Sequence, residues 1–160
     1  TLTFVEFPLV FGLFLLPSAA LLAALSVGTA VALVVDPAVV WLRKAFNLSQ
    51  YLLSMTIGVA VFDRLVEARG DVTRPTWWLA AFAATALSSA VGLATIILAL
   101  TLTEGRLPTS RLHHMIGVGL GVTVGNTSVA LLAAFSFVHD PAAVALLAVP
   151  MAVLYLAYRA

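Results

Sequence analysis

The sequence has no cysteine and little charge: Asp, Glu, Lys and Arg make up 9% of its 160 residues, and histidine occurs three times. Without cysteine there is no disulfide, no thiolate metal site and no thiol redox chemistry. So sparse a charge excludes an ordinary water-soluble domain, in which about a quarter of residues are ionic. The formal net charge is +1, and the eight Lys and Arg residues are spread between apolar runs instead of forming a patch, so nucleic acid is excluded as a partner. Catalytic signatures are missing as well. There is no Ser-His-Asp arrangement, no paired-carboxylate motif and no H-E-x-x-H, so these 160 residues offer no catalytic centre and imply no cofactor. His113 and His114 point about 100° apart on a helix and have no third ligand at metal spacing. They read as interfacial groups, and no metal site is expected.

What is present is apolar sequence: 62% hydrophobic residues and a mean hydropathy of +1.12. Charged residues divide it into neutral runs at Phe7 to Val35, Ala45 to Phe62, Pro75 to Thr103, Leu112 to His139 and Pro141 to Tyr158. Runs of this length cross a hydrocarbon core as helices. The expected fold is therefore all-α, a polytopic transmembrane bundle of about five spans forming one domain over residues 1–160, with the lipid bilayer as its first partner. Pro17 removes a helical hydrogen bond inside the first run, so that run is broken. Its outer piece, Glu6 to Leu16, is either part of a kinked span or a re-entrant segment. Turns are expected at Asp36-Pro37, Gly70-Asp71, Glu104 to Pro108 and His139 to Pro141, with Trp41, Trp77 and Trp78 at the interfaces. Arg43, Lys44, Arg106, Arg111 and Arg159 fall on one side against Arg64, Arg69 and Arg74 on the other. That excess places the carboxyl terminus in the cytoplasm.

Polar residues inside the runs are the functional candidates, because lipid satisfies neither an amide nor a carboxylate. Asn47, Gln50 and Ser54 recur at helical spacing, and Gly58 continues their stripe. Glu6 borders the first run, either as a helix-terminal interfacial acid or as an intramembrane functional group. Thr123, Asn126 and Thr127 interrupt a glycine series in the fourth run. Glu6, Asn47, Gln50, Ser54 and Asn126 together make a candidate pocket for a small ligand; helix-to-helix hydrogen bonding is the plainer use of the amides. Gly117, Gly121 and Gly125 stand four apart, and Ala81, Thr85, Ser89 and Gly92 make a matching small face in the third run. These serve close helix packing, either within the chain or as the seam of a homo-oligomer or larger membrane assembly. Asn-x-Ser at Asn47 and again at Asn126, each followed by Leu-Leu, suggests an internal repeat relating 17–66 to 77–138.

Three segments carry a resemblance: Glu6-Phe7-Pro8-Leu9-Val10-Phe11-Gly12-Leu13-Phe14, Lys44-Ala45-Phe46-Asn47-Leu48-Ser49-Gln50, and the ending Val149-Pro150-Met151-Ala152-Val153-Leu154-Tyr155-Leu156-Ala157-Tyr158-Arg159-Ala160. Together they resemble the N-terminal membrane region of bacterial signalling proteins with cytoplasmic GGDEF, EAL or HD-type domains, departing from it at Phe7 and at Ser49-Gln50. The resemblance implies a multi-pass sensory or anchoring module of the bacterial inner membrane. It also implies that an output domain making or degrading cyclic di-GMP follows Ala160, so any cyclase or phosphodiesterase activity would lie there. A start at Thr1 and a stop directly after an apolar run fit an excised piece of such a protein. Two other functions suit the same residues: a solute-binding membrane component like the substrate subunits of energy-coupled vitamin transporters, or a structural subunit of a membrane complex.

Overall fold

In the computed structural model residues 6–35, 40–66, 72–105, 109–140 and 142 are described. They form five helices: α1 (Glu6–Leu15), α2 (Ser18–Val35), α3 (Trp41–Leu65), α4 (Pro75–Glu104) and α5 (Thr109–His139). The architecture is the all-α polytopic bundle expected, with a split first segment. Within α3, α4 and α5 the stretches Trp41–Leu65, Pro75–Thr103 and Leu112–His139 are long and apolar enough to cross a membrane. α2 has 18 residues and reaches roughly 27 Å, just short of the hydrocarbon core. Parts of the predicted turns and the last apolar run, 143–158, lie outside the described residues.

Proline sets the break in the first segment. Pro17 has no N–H, so α1 ends with the Leu16 N–H on the Gly12 carbonyl (2.9 Å), and α2 begins with the Leu21 N–H on the Pro17 carbonyl (2.9 Å). Gly12 allows the two halves to fold together, since a Cβ there would collide with the buried Leu21 side chain. The Ser18 hydroxyl then donates to an Asp63 carboxylate oxygen (2.6 Å) at the far end of α3.

α3 and α4 pack antiparallel along the stripe that the sequence marked. Gly58 stands against Ser88 and Ala84, and Gly92 against Gln50 and Ser54. α4 meets α5 in a second antiparallel seam, where Thr127 donates to Thr85 (3.0 Å) and Thr123 to Ser89 (2.9 Å). α1 lies against α5 and caps the core at the α4 entry, with Phe14 beside Phe62 (5.4 Å) and Trp77 (6.5 Å), and Phe11 beside Phe137 (5.5 Å). The core includes Leu9, Val10, Leu13, Met55, Val59, Phe62, Ala81, Ala84, Ala130 and Ala134. Outward residues are as apolar as inward ones: Leu42 and Leu102 are each 77% exposed and Leu79 is 70% exposed. Such a surface needs lipid to cover it.

Phe62 is wholly buried, and its truncation measures how tightly the α1–α3–α4 corner is packed. In water a Phe→Ala change costs both transfer and cavity energy. Here the separated helices keep Phe62 in hydrocarbon, so only the packing part is lost. Phe62→Ala is expected to destabilise the bundle by about 2 kcal/mol, below the roughly 3–5 kcal/mol that such changes cost in water-soluble cores. Unfolding in mixed micelles checks it.

Candidate functional site

The site is built around Glu6, the first residue of α1. Asn126 donates from Nδ2 to Glu6 Oε2 at 2.9 Å. On the other oxygen, Oε1, the hydroxyls of Ser89 and Thr123 each stand at 3.4 Å. A hydroxyl has one hydrogen to give, and Thr123 is closer to Ser89, at 2.9 Å. The consistent arrangement is a relay in which Thr123 donates to Ser89 and Ser89 donates to Glu6. Oε2 is thus firmly held, and Oε1 has only a contact beyond the usual O–H···O range.

These partners fix the depth of the acid. Ser89 lies at the midpoint of α4 (Pro75–Glu104), and Thr123 close to the midpoint of α5 (Thr109–His139). At 1.5 Å per residue both are roughly 20 Å from either helix end. The structure places Glu6 beside the middles of α4 and α5, away from their ends. α1 begins half-way through the bundle and runs outward to the Trp77 end, so its first residue, which the sequence places at the edge of a run, stands deep inside.

Glu6 opens onto a cleft of about 1350 Å³ between α1, α2, α3, α4 and α5. Its walls are mainly apolar, among them Leu21, Leu25, Met55, Leu93, Ile96 and Val122, and its polar groups include Thr29, Asn47, Gln50, Tyr51, Ser54 and Ser88. Thr29 of α2 and Tyr51 of α3 both line it. Gln50 reaches the Gly92 carbonyl (3.3 Å), and the Ser54 hydroxyl returns to the Gln50 carbonyl (2.9 Å). Among the described residues the lining contains no lysine or arginine, and one histidine, His114.

Of the five candidate pocket residues, Glu6, Asn47, Gln50 and Ser54 line this cleft, and Asn126 stands behind Glu6 as its anchor. Asn47 is exposed near the start of α3, whereas Asn126 is buried beyond the middle of α5. The two amides therefore act at different depths and do not converge. The small face of α4 is met by α5, but not through the glycines. Thr85 and Ser89 pair with Thr127 and Thr123, while a Cβ at Gly117, Gly119, Gly121 or Gly125 would touch nothing within 4 Å among the described residues. Sequence reasoning missed Ser88, Thr29 and the pairing of Ser89 with an acid 83 positions away. The adjacent hydroxyls of Ser88-Ser89 in an otherwise apolar run were the available signal. Among the described residues no group of three His, Asp or Glu is placed to hold a metal.

The chain matches no family model, no curated protein and no solved structure.

Proposed function

We propose that this multi-span bundle is a sensory module of the bacterial inner membrane. A small ligand in the Glu6 cleft sets the geometry of its helices and so regulates a cyclic-di-GMP-type domain attached on the cytoplasmic side beyond Ala160. The observation that carries the reading is the intramembrane acid: Glu6 is tied by Asn126 and Ser89 to two long helices and lines a cleft. A carboxyl group at that depth is costly, and such groups mark ligand or ion sites. A ligand donor on Oε1 competes with Ser89, which in turn accepts from Thr123, so occupancy changes how α4 and α5 are held against α1. α5 leads directly toward the carboxyl-terminal run, which makes it the natural transmitter of a two-state shift.

The test begins by reading the gene beyond Ala160 for a GGDEF, EAL or HD-type domain. Where one follows, Gly28→Phe is the decisive variant, because Gly28 lines the cleft and a Cβ there meets nothing within 4 Å. The phenyl group obstructs the cleft from its α2 wall without disturbing the packing. Cyclic-di-GMP turnover in membranes is expected to lose its response to stimulus, and an unchanged response would overturn the reading. The size and openness of the cleft also suit solute capture for transport. That reading gains if the gene ends near Ala160 and a vitamin-like solute raises the melting temperature of the purified chain.

A further inference from the structure

The ligand class follows from the charge and donor balance of the cleft, and this step rests on the reading of the cleft as a ligand site. Its deepest polar group is a carboxyl whose Oε1 has only 3.4 Å contacts, where a good O–H···O bond is shorter by about 0.6 Å. Among the described residues no lysine or arginine lines the walls. Among the described residues Glu6 is bonded to an amide and hydroxyls only. The other polar lining groups include Thr29, Asn47, Gln50, Tyr51, Ser54 and Ser88, which are neutral and accept hydrogen bonds as readily as they donate them, and one imidazole, His114. Beyond them the walls are hydrocarbon.

We infer that the cleft takes a protonated amine on an apolar body, its ammonium group on Glu6 Oε1 and its chain along the Leu21, Leu25, Leu93 and Ile96 walls. An anionic occupant would meet a carboxyl that no lysine or arginine among the described lining residues offsets. A neutral alcohol of the same shape fills the apolar part but leaves the acid without a counter-charge. A cation neutralises the acid where water is scarce and the attraction is least screened. The same ammonium chemistry is carried by a free alkylamine and by the head group of an aminophospholipid.

The experiment uses the full chain in nanodiscs of phosphatidylglycerol, which has no amine, with octylamine and octan-1-ol as matched probes and binding read by the shift in melting temperature. Octylamine is expected to bind about tenfold more tightly than octanol, which is ~1.4 kcal/mol of preference. Glu6→Gln should bring the ratio to within about twofold, and Gly28→Phe should abolish binding of both probes. Should Glu6→Gln fail to fold, Gly28→Phe in the otherwise intact chain still shows whether the amine preference belongs to the cleft. Adding phosphatidylethanolamine to the discs separates the sources. Loss of the octylamine shift identifies the lipid head group as occupant, and an undiminished shift identifies a free amine. Equal binding of the two probes to the unsubstituted chain, both lost in Gly28→Phe, sinks the ammonium inference and leaves the cleft as a site for neutral ligands. A preference that survives Glu6→Gln also sinks it. Binding of neither probe, together with unchanged signalling output in Gly28→Phe, removes the cleft reading as well.

Discussion

Gly58→Leu is expected to part α3 from α4 and to destabilise the bundle by about 3 kcal/mol, the top of the ordinary range for overpacking. A Cβ at Gly58 would already stand 3.2 Å from the Ser88 Cβ and 3.3 Å from the Ala84 carbonyl oxygen. Neither atom is the movable end of a side chain. Three further carbons have nowhere to go, and relief requires one helix to slide or tilt against the other. That seam also positions Gln50 and Ser54 at the cleft, so ligand response should fall with stability. The control is Gly121→Leu, where a Cβ would meet nothing within 4 Å among the described residues. Unfolding of both variants in mixed micelles should show a large loss for the first and almost none for the second. Equal losses would mean that the glycine edge of α5 is covered in the folded protein, by a second copy or by the residues after 142, and concentration dependence separates the two.

The contrast between these glycines shows what a sequence can and cannot reveal about a membrane bundle. Where one residue type has one strong local consequence, the reading succeeds: Pro17 forbids a continuous helix, and the structure splits at that place into α1 and α2. The stripe Gln50, Ser54 and Gly58 also faces a neighbouring helix as its spacing requires. Periodicity identifies a face but not the helix it meets. Gly117, Gly121 and Gly125 form a regular stripe, yet α4 is met by the hydroxyls of Thr123 and Thr127 a fraction of a turn away. In lipid both faces are permissible, because hydrocarbon competes with helix for every apolar contact. The depth of Glu6 was illegible for a related reason. Its place in the sequence marks the edge of a run, but α1 has only 10 residues, and how far so short a helix penetrates is fixed by Gly12 against Leu21 and by Phe14 against Phe62 and Trp77. Those are tertiary contacts, and no window of sequence contains them.

Asn126→Leu should cost about 3 kcal/mol, more than any other single hydrogen-bond deletion in the bundle. Interhelical hydrogen bonds between neutral groups in membranes are weak, averaging about 0.6 kcal/mol, and Thr85→Val, which breaks the 3.0 Å bond from Thr127, belongs to that class. Asn126 differs in what it serves. Among the described residues it is the one short donor to Glu6, at 2.9 Å, and its loss leaves Oε2 without that donor at mid-depth while Oε1 keeps its 3.4 Å contacts. Bonds to a charged acceptor are worth about 1.5–3 kcal/mol, and stranding the acceptor adds its desolvation. A double-mutant cycle isolates the pair: in a Glu6→Gln background Asn126→Leu should cost about 1 kcal/mol, giving a coupling near ~2 kcal/mol. Reversible unfolding of the four proteins measures it. If Asn126→Leu is no more costly than Thr85→Val, or costs the same with and without the acid, then Glu6 is not anchored through α5. A ligand on Oε1 would then have no lever on α5.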